Sequence, residues 1–406
     1  MKRTLALFLI LVPQFALPFG ETPGPRYEHL VRSGPQSIHI LTVDPNRVAL
    51  RAERALGDGV GRETASSMAA RAGAVGAING GFFRIGGRYD GEPDGILKIN
   101  GKWFSDPAIA RGAIGWREGG KDCLIGRLMM RWMLNIDGKS LPVEGINRPR
   151  SAGEAILYDW AFHRSTLTDP GGLEIGIAGD RVTAIEKGGD SAIPIDGYVY
   201  SLGPKSQARE FAFRLRSSAK ISYILEPAPP ANPDLRQRWE SMDFIMGGVP
   251  VLISDGWLLA DWKKENARPR FAEERHPRTA VGLRADGTWV LMVVDGRQPS
   301  LSIGMTLKEV ADTMSSLGCV SALNLDGGGS STMVLDGRVM NSPSDAGRER
   351  PVSDAILIMP RQQPPKSQGL RHSQKPPSRH EDTRSQLPSV GSTHFRFRRI
   401  SSCRIM

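Results

Sequence analysis

The chain has 406 residues, 40% of them hydrophobic, with a formal net charge of +10. That length and composition suit one large packed domain and exclude a low-complexity or fibrous protein. The charge is not spread over the chain: residues 361–406 hold ten Lys/Arg against Glu381 and Asp382, and Lys2 with Arg3 supply the remainder. The stretch 21–360 is therefore formally neutral, which argues against a nucleic-acid surface on the folded part.

Residues 1–20 have the form of an export signal: Lys2 and Arg3 precede an almost wholly apolar run, Leu5 to Phe19, ending at Gly20. The run is short for a membrane span and contains Pro13 and Pro18. A secreted or periplasmic protein without stable membrane insertion is the expectation. Cys123, Cys319 and Cys403 are few and odd in number, so they give neither a disulfide scaffold nor zinc spacing.

Ser37 to Val43 and Val48 to Ala52 flank Asp44-Pro45-Asn46, a combination that predicts a hairpin. His39 on the first of these strands is read as a packed structural residue. Thr64 to Ala72 is helical and stopped by Gly73, and Ala74 to Ile78 is an apolar strand running into Asn79-Gly80-Gly81-Phe82-Phe83. From Phe104 to Asp243 short strands separated by Gly, Pro and Asn predict a β-rich insertion or lobe, with 227–233 as a connecting loop. Residues 263–277 are charged and aperiodic and are read as a loop. His276-Pro277 then holds the chain extended into the strand Thr279 to Leu283, which Asp286-Gly287 joins to Trp289 to Val294, ending at Asp295-Gly296-Arg297.

Thr306 and Glu309 form a capping-box pair, and Leu307, Val310, Ala311, Met314 and Leu317 recur at helical spacing until Gly318. The apolar run Cys319 to Leu325 delivers Asp326 to a strand end, followed by Gly327-Gly328-Gly329-Ser330-Ser331. Each glycine costs roughly 0.5–1 kcal/mol in a regular element, so three in succession mark positive φ or close approach of another group. A phosphate-binding P-loop is excluded because no Lys follows the glycines, and a serine nucleophile elbow because Thr332 stands where its second glycine belongs. A purely structural turn is the remaining rival. Thr332 to Leu335, Asp336-Gly337 and Val339 form a further hairpin. After Pro360 periodicity is lost and a basic, disordered Pro/Ser/Arg-rich tail, 361–406, is expected. The pattern as a whole predicts an α+β fold: a β-rich twisted mixed sheet with a few flanking helices, in a domain spanning 21–360 with 104–243 as the β-rich insertion.

Four stretches, Ala77 to Phe83, Arg278 to Gly282, Val293 to Arg297 and Asn324 to Met333, occur in the order of the motifs of the phosphodiester glycosidase family, which the chain resembles from Ile38 to Met359. The resemblance implies hydrolysis of a sugar 1-phosphodiester, of the N-acetylglucosamine type, at its anomeric C–O bond on exported or cell-surface glycans. On the matching positions it points to Asp326 and Asp295 as catalytic carboxylates, with Asn79, Gly80, Arg278, Arg297, Gly327, Gly328, Ser330 and Ser331 binding substrate. Guanidinium groups suit a departing phosphate because they offer a planar fork of donors and stay charged. N–H groups of Gly327 to Gly329 would add an anion nest. No cofactor is required by this reading, although a divalent cation shared by Asp295 and Asp326 stays open. So does a non-catalytic role in binding or assembling an exopolysaccharide.

Overall fold

The computed structural model describes residues 24–57, 59–107, 109–136, 138–212, 219–228, 233–258 and 262–361. The expected leader and the tail beyond Arg361 lie outside the described residues.

Four sheets make up the fold. The first has the order Arg26–Arg32, Gln36–Val43, Trp289–Val294, Arg278–Arg284, Cys319–Asn324, Val251–Ser254, Trp257–Leu258. The second, of five strands, runs Arg338–Val339, Met333–Leu335, Gly76–Asn79, Asp354–Pro360, Val48–Arg54. The third joins Ala219–Ala228, Cys123–Ile136 and Arg111–Trp116 to Phe244–Gly248, Leu97–Ile99 and Lys102–Ser105, with Lys139–Val143 paired to Cys123–Ile136. The fourth is built from strands between Gly145 and Leu202. The β-rich α+β class stands. Among the described residues pairing is antiparallel except between Gly145–Ile146 and Ala155–Asp159, so there the mixed character is confined to that short pair.

Apolar alternation drives the first three sheets onto one core, where Leu41, Val281, Leu291 and Leu323 meet Leu50, Ile78, Met333 and Ile356 and also Ile114, Trp116 and Phe244. The helix Leu307–Ser316 covers the other face of the first sheet with Leu307, Val310, Ala311 and Met314. It is capped as its sequence dictates: Glu309 N donates to Thr306 Oγ1 and Thr306 N to the Glu309 carboxyl, and Gly318 takes φ +82° past the C-terminus. The helix Ala65–Ala72 likewise starts at Thr64 and ends at left-handed Gly73. No helix among the described residues is long and apolar enough to cross a membrane.

Three local expectations change. Gln36–Val43 and Val48–Arg54 are not a hairpin: the first pairs with Arg26–Arg32 before it and with Trp289–Val294, the second with Asp354–Pro360, and the Asp44-Pro45-Asn46 turn carries the chain from the first sheet to the second. Residues 263–277, expected as a loop, overlap the 3₁₀ turn Trp262–Glu265 and contain the helix Pro269–Glu273, begun by a proline at its first turn. Pro233, expected to end a connecting loop in the β-rich stretch, is the start of a helix, Pro233–Glu240. Cys123 and Cys319 are free thiols.

The register of the first sheet decides where the motifs gather. Arg278 pairs with Val294 and Ala280 with Asn324, so the segments 276–278, 295–297 and 325–331 all leave the sheet at one edge.

Candidate functional site

Beyond Asn324 the chain crosses from the first sheet to the second, and the glycine turn is the crossing. Leu325 N donates to Thr279 O, and Asp326 N to Gly80 O at 3.1 Å. Gly328, at φ +63°, donates from N to Pro277 O, and a 3₁₀ turn spans Gly328–Ser330. At Gly327 a Cβ would stand 2.7 Å from Pro277 O, so the turn closes on the His276-Pro277-Arg278 backbone because it has no side chain there.

Asn79 and Asp326 do meet, but from different sheets. Asn79 is fully buried; its Nδ2 donates to Asp326 O at 2.8 Å, and its Oδ1 accepts from Thr279 Oγ1 and Thr332 N. This amide is a clamp beneath the turn. Ser330 and Ser331 are also buried; neither hydroxyl has a hydrogen-bond partner of good geometry, but Ser330 faces the Asp326 carboxyl. Of the three glycine N–H groups expected to form an anion nest, Gly327 donates to Asp326 Oδ1 and Gly328 to Pro277 O, so both are spent inside the turn, and Gly329 is buried.

The turn forms one wall of an open cleft of about 500 Å³, lined also by Asp326, Phe82, Phe271, His276 and five arginines: 268, 270, 278, 297 and 350. Two of these guanidinium groups lie against consecutive glycines. A Cβ on Gly328 would be 3.0 Å from Arg297 Nη2, and one on Gly329 would be 2.2 Å from Arg350 Nη2. The absence of side chains at 328 and 329 is therefore what admits the two cations. Arg297 is exposed, holds φ +59°, and has no hydrogen-bond or ion-pair partner among the described residues. Backbone strain of that kind in a non-glycine residue is held in place only by its surroundings. Arg350 is braced by a two-pronged pair with Asp345, at 2.7 and 3.1 Å.

Arg278 differs from both. It is 1% exposed and donates to three carbonyls, those of Met305, Phe271 and Glu274, at 2.6–2.9 Å. Burial and then the Arg297 charge pull its pKa down to about 10. It welds the Pro269–Glu273 helix to the cleft wall through these bonds from Nε and Nη2.

Asp295, expected as a second catalytic carboxylate, does not line the cleft. Its Oδ2 accepts from Ser37 Oγ at 2.9 Å and His39 Nε2 at 3.0 Å, and its Oδ1 from Asn341 Nδ2 at 3.1 Å and Ser342 N at 2.8 Å. Burial would raise its pKa, but His39, Ser342 and Ser37 together hold it below the usual value. His39 in turn bonds Tyr27 and stacks on His29 at 4.4 Å. The carboxylate thus fixes Arg297, two residues on, and the root of the loop that carries Asp345 and Arg350. With all four bonds made, it has no lone pair to share with a cation beside Asp326, and the described residues contain no group of three or more His, Cys, Asp or Glu placed to hold a metal. Asp295→Asn should cost roughly 1–3 kcal/mol of stability for the donors left facing an amide, visible as a lower Tm, and should reduce turnover less than loss of Asp326.

Burial pushes the Asp326 carboxyl up to about 6, although the Ser330 hydroxyl, Gly327 N–H and Arg350 charge hold it down; the Asp354 charge adds to the rise. Burial likewise takes Asp354 to about 6, Asp106 to about 7 and Glu92 to about 8. Each folded value lies above the unfolded one near 4, so between them the native state binds more protons. Their contribution to stability is fully present below about pH 4 and is lost as pH rises through about 6 to 8. Thermal melts should give a higher Tm at pH 5 than at pH 8. Equal values would show these carboxyls to be solvated.

Of the residues expected at the site, Asp326, Arg278, Arg297, Gly327 and Gly328 line the cleft; Arg350 on the cleft, and Asp345 and Asp354 behind it, were not foreseen. These stand in or beside an irregular loop; the one available signal was the density of charge from Asp345 to Arg350.

Residues 171–359 match the family model of the phosphodiester glycosidases, a span that contains every cleft residue named above except Phe82. The chain is 30% identical over 232 residues to an uncharacterized protein, RC0079, of Rickettsia conorii, covering 56% of this chain and 77% of that one. It is 29% identical over 192 residues to the N-acetylglucosamine-1-phosphodiester alpha-N-acetylglucosaminidase of Mus musculus, 43% of this chain but 35% of the mouse protein. A further relative, the prophage-derived uncharacterized protein YomE of Bacillus subtilis, is 38% identical over 120 residues, 27% of this chain and 18% of its own length. The chain thus spans well under half of the mouse and Bacillus proteins. Among solved structures, a Burkholderia pseudomallei K96243 protein described as exported superposes with TM-score 0.69 at 26% identity, over 80% of this chain and 74% of that one. A hypothetical protein from Synechocystis shares the fold, with TM-score 0.72 at 24% identity, over 83% and 62% of the two chains. With the glycine turn, the His-Pro-Arg segment, Arg297 and Arg350 inside the matched residues, the chain belongs to the phosphodiester glycosidase family.

Proposed function

We propose that the cleft hydrolyses a sugar 1-phosphodiester of the N-acetylglucosamine type at its anomeric C–O bond, on exported or cell-surface glycans. The observation that carries this reading is the seating of Arg297 and Arg350 on Gly328 and Gly329, beside the Asp326 carboxyl, in one cleft. Breaking the bond sends its electron pair to the phosphate oxygen while positive charge grows on the sugar ring. The unpartnered Arg297 and the braced Arg350 meet the departing phosphate, so little proton donation to it is needed. Asp326 accepts the proton of the attacking water as oxygen bonds to the anomeric carbon. Phe82 and Phe271, edge to face at 5.9 Å, wall the side where the sugar would lie. Arg278 and Asn79 hold the frame, and Ser330 restrains Asp326.

Purified protein should release free sugar and a phosphate monoester from such a diester, and Asp326→Asn should not. Absence of turnover across a panel of sugar 1-phosphodiesters, with ligand binding retained, would favour a binding role instead. Gly329→Ala tests the clamp: the new Cβ would stand 2.2 Å from Arg350 Nη2 and 2.3 Å from Asp345 Oδ1 and push the paired tips aside, so kcat/KM should fall roughly tenfold, about 1.4 kcal/mol, with a smaller effect on Tm. Export through residues 1–20 and dispensability of 362–406 belong to the same proposal. Arg361 bonds the carbonyls of Val48 and Pro45, so truncation just after it should leave Tm and activity intact.

A further inference from the structure

Asp354 opens the strand Asp354–Pro360 and is 1% exposed. It grips the Gly80-Gly81 dipeptide twice: Gly80 N donates to its carbonyl at 2.9 Å and Gly81 N to its Oδ1 at 2.7 Å. The carboxyl lies directly against Gly80, where a Cβ would be 2.1 Å from Oδ1. The same dipeptide supports Asp326, whose N donates to Gly80 O at 3.1 Å. Asn79, the residue before, holds the Asp326 carbonyl. Two acidic residues are thus hung on one glycine.

We propose that Asp354 is a positioning residue for Asp326, fixing the Gly80-Gly81 backbone on which Asp326 rests and setting a second negative charge behind it. The inference rests on the reading of Asp326 as the proton-accepting carboxylate. Holding a backbone N–H requires an oxygen, not a charge, and burying a carboxylate is costly, so the charge itself calls for a use. Asp326 faces Arg350 and the Ser330 hydroxyl, and Arg268, Arg270, His276, Arg278 and Arg297 line the same cleft. That excess of cations favours ionisation and would leave a weak base. A negative charge at 354 opposes it. Arg54, the cross-strand partner of Asp354, is the cation on its own side; it donates to Ala161 O at 2.6 Å and lies over the Phe104 ring at 4.7 Å.

Asp354→Asn keeps an oxygen for Gly81 N and removes the charge. Its kcat on the plateau above pH 8 should stay within about threefold of wild type, while the acid limb of kcat/KM moves to lower pH. Asp354→Ala, which loses the acceptor, should lower kcat by roughly tenfold or more with a smaller change in KM. A pH profile of Asp354→Asn superimposable on wild type would overturn the proposal, as would wild-type kcat in Asp354→Ala. Should either variant fail to fold, carboxyl ¹³C titration of the wild-type protein decides: Asp326 and Asp354 should titrate with mutually displaced, two-step curves, and independent single-step curves would refute the coupling. This titration needs no turnover, so failure of the hydrolase reading and failure of the Asp354 inference are told apart.

Discussion

Asp326→Asn should lower kcat by about 10²–10⁴ while leaving the fold and ligand binding largely intact. The variant keeps the size of the side chain and can keep the acceptor for Gly327 N, which at 2.9 Å shapes the start of the turn. What it loses is the ability to take a proton. Because burial sets the wild-type carboxyl at about 6, the acidic limb of the activity profile should be centred near that pH, rising as Asp326 ionises. The sign is that of a base: activity is lost as pH falls through the folded value. A profile that instead falls with rising pH near 6 would make Asp326 a proton donor. Near wild-type rates in a folded Asp326→Asn would return the glycine turn to a structural role.

Arg297→Ala should cost roughly 2–5 kcal/mol of transition-state stabilisation, read from kcat/KM on a sugar 1-phosphodiester. Its guanidinium has no protein partner among the described residues, so removing it leaves no buried charge behind and Tm should hardly move. Lysine should rescue only in part, since a single ammonium cannot reproduce the fork against a phosphate. The control is an aryl glycoside of the same sugar, whose leaving group needs no anion clamp. Equal losses on both substrates would place Arg297 at the sugar and dismantle the clamp. Arg278→Ala, by contrast, strips the donors from three carbonyls and should act first on stability.

The parts of this site legible in the sequence are those written locally. Three glycines after an apolar strand announce close approach, and the structure shows what approaches: Pro277 O, Arg297 and Arg350, each against one glycine. Capping at Thr306 and the left-handed Gly318 were legible for the same reason. What sequence does not contain is the allocation of hydrogen bonds. Asn79, Arg278 and Asp295 sit in motifs as prominent as that of Asp326, yet their polar atoms are largely or wholly taken up by protein groups 200 to 258 residues away or by nearby carbonyls. Strand partners are equally hidden. Alternation specifies a face and not a neighbour: Gln36–Val43 pairs with the preceding Arg26–Arg32 and with Trp289–Val294 late in the chain, and Val48–Arg54 with Asp354–Pro360. The helices at Pro233 and Pro269 carry a local signal, proline at the first helical turn, but both are short and charged, without a helical apolar period.

Hydrolysis in ¹⁸O-labelled water tests the central claim most directly. Purified protein acting on N-acetylglucosamine 1-phosphate joined to a simple alcohol should place the label on the anomeric hydroxyl of the released sugar and none on the phosphate monoester. Label in the phosphate would mean that water attacks phosphorus, and neither the clamp around the leaving group nor the role given to Asp326 would survive that result.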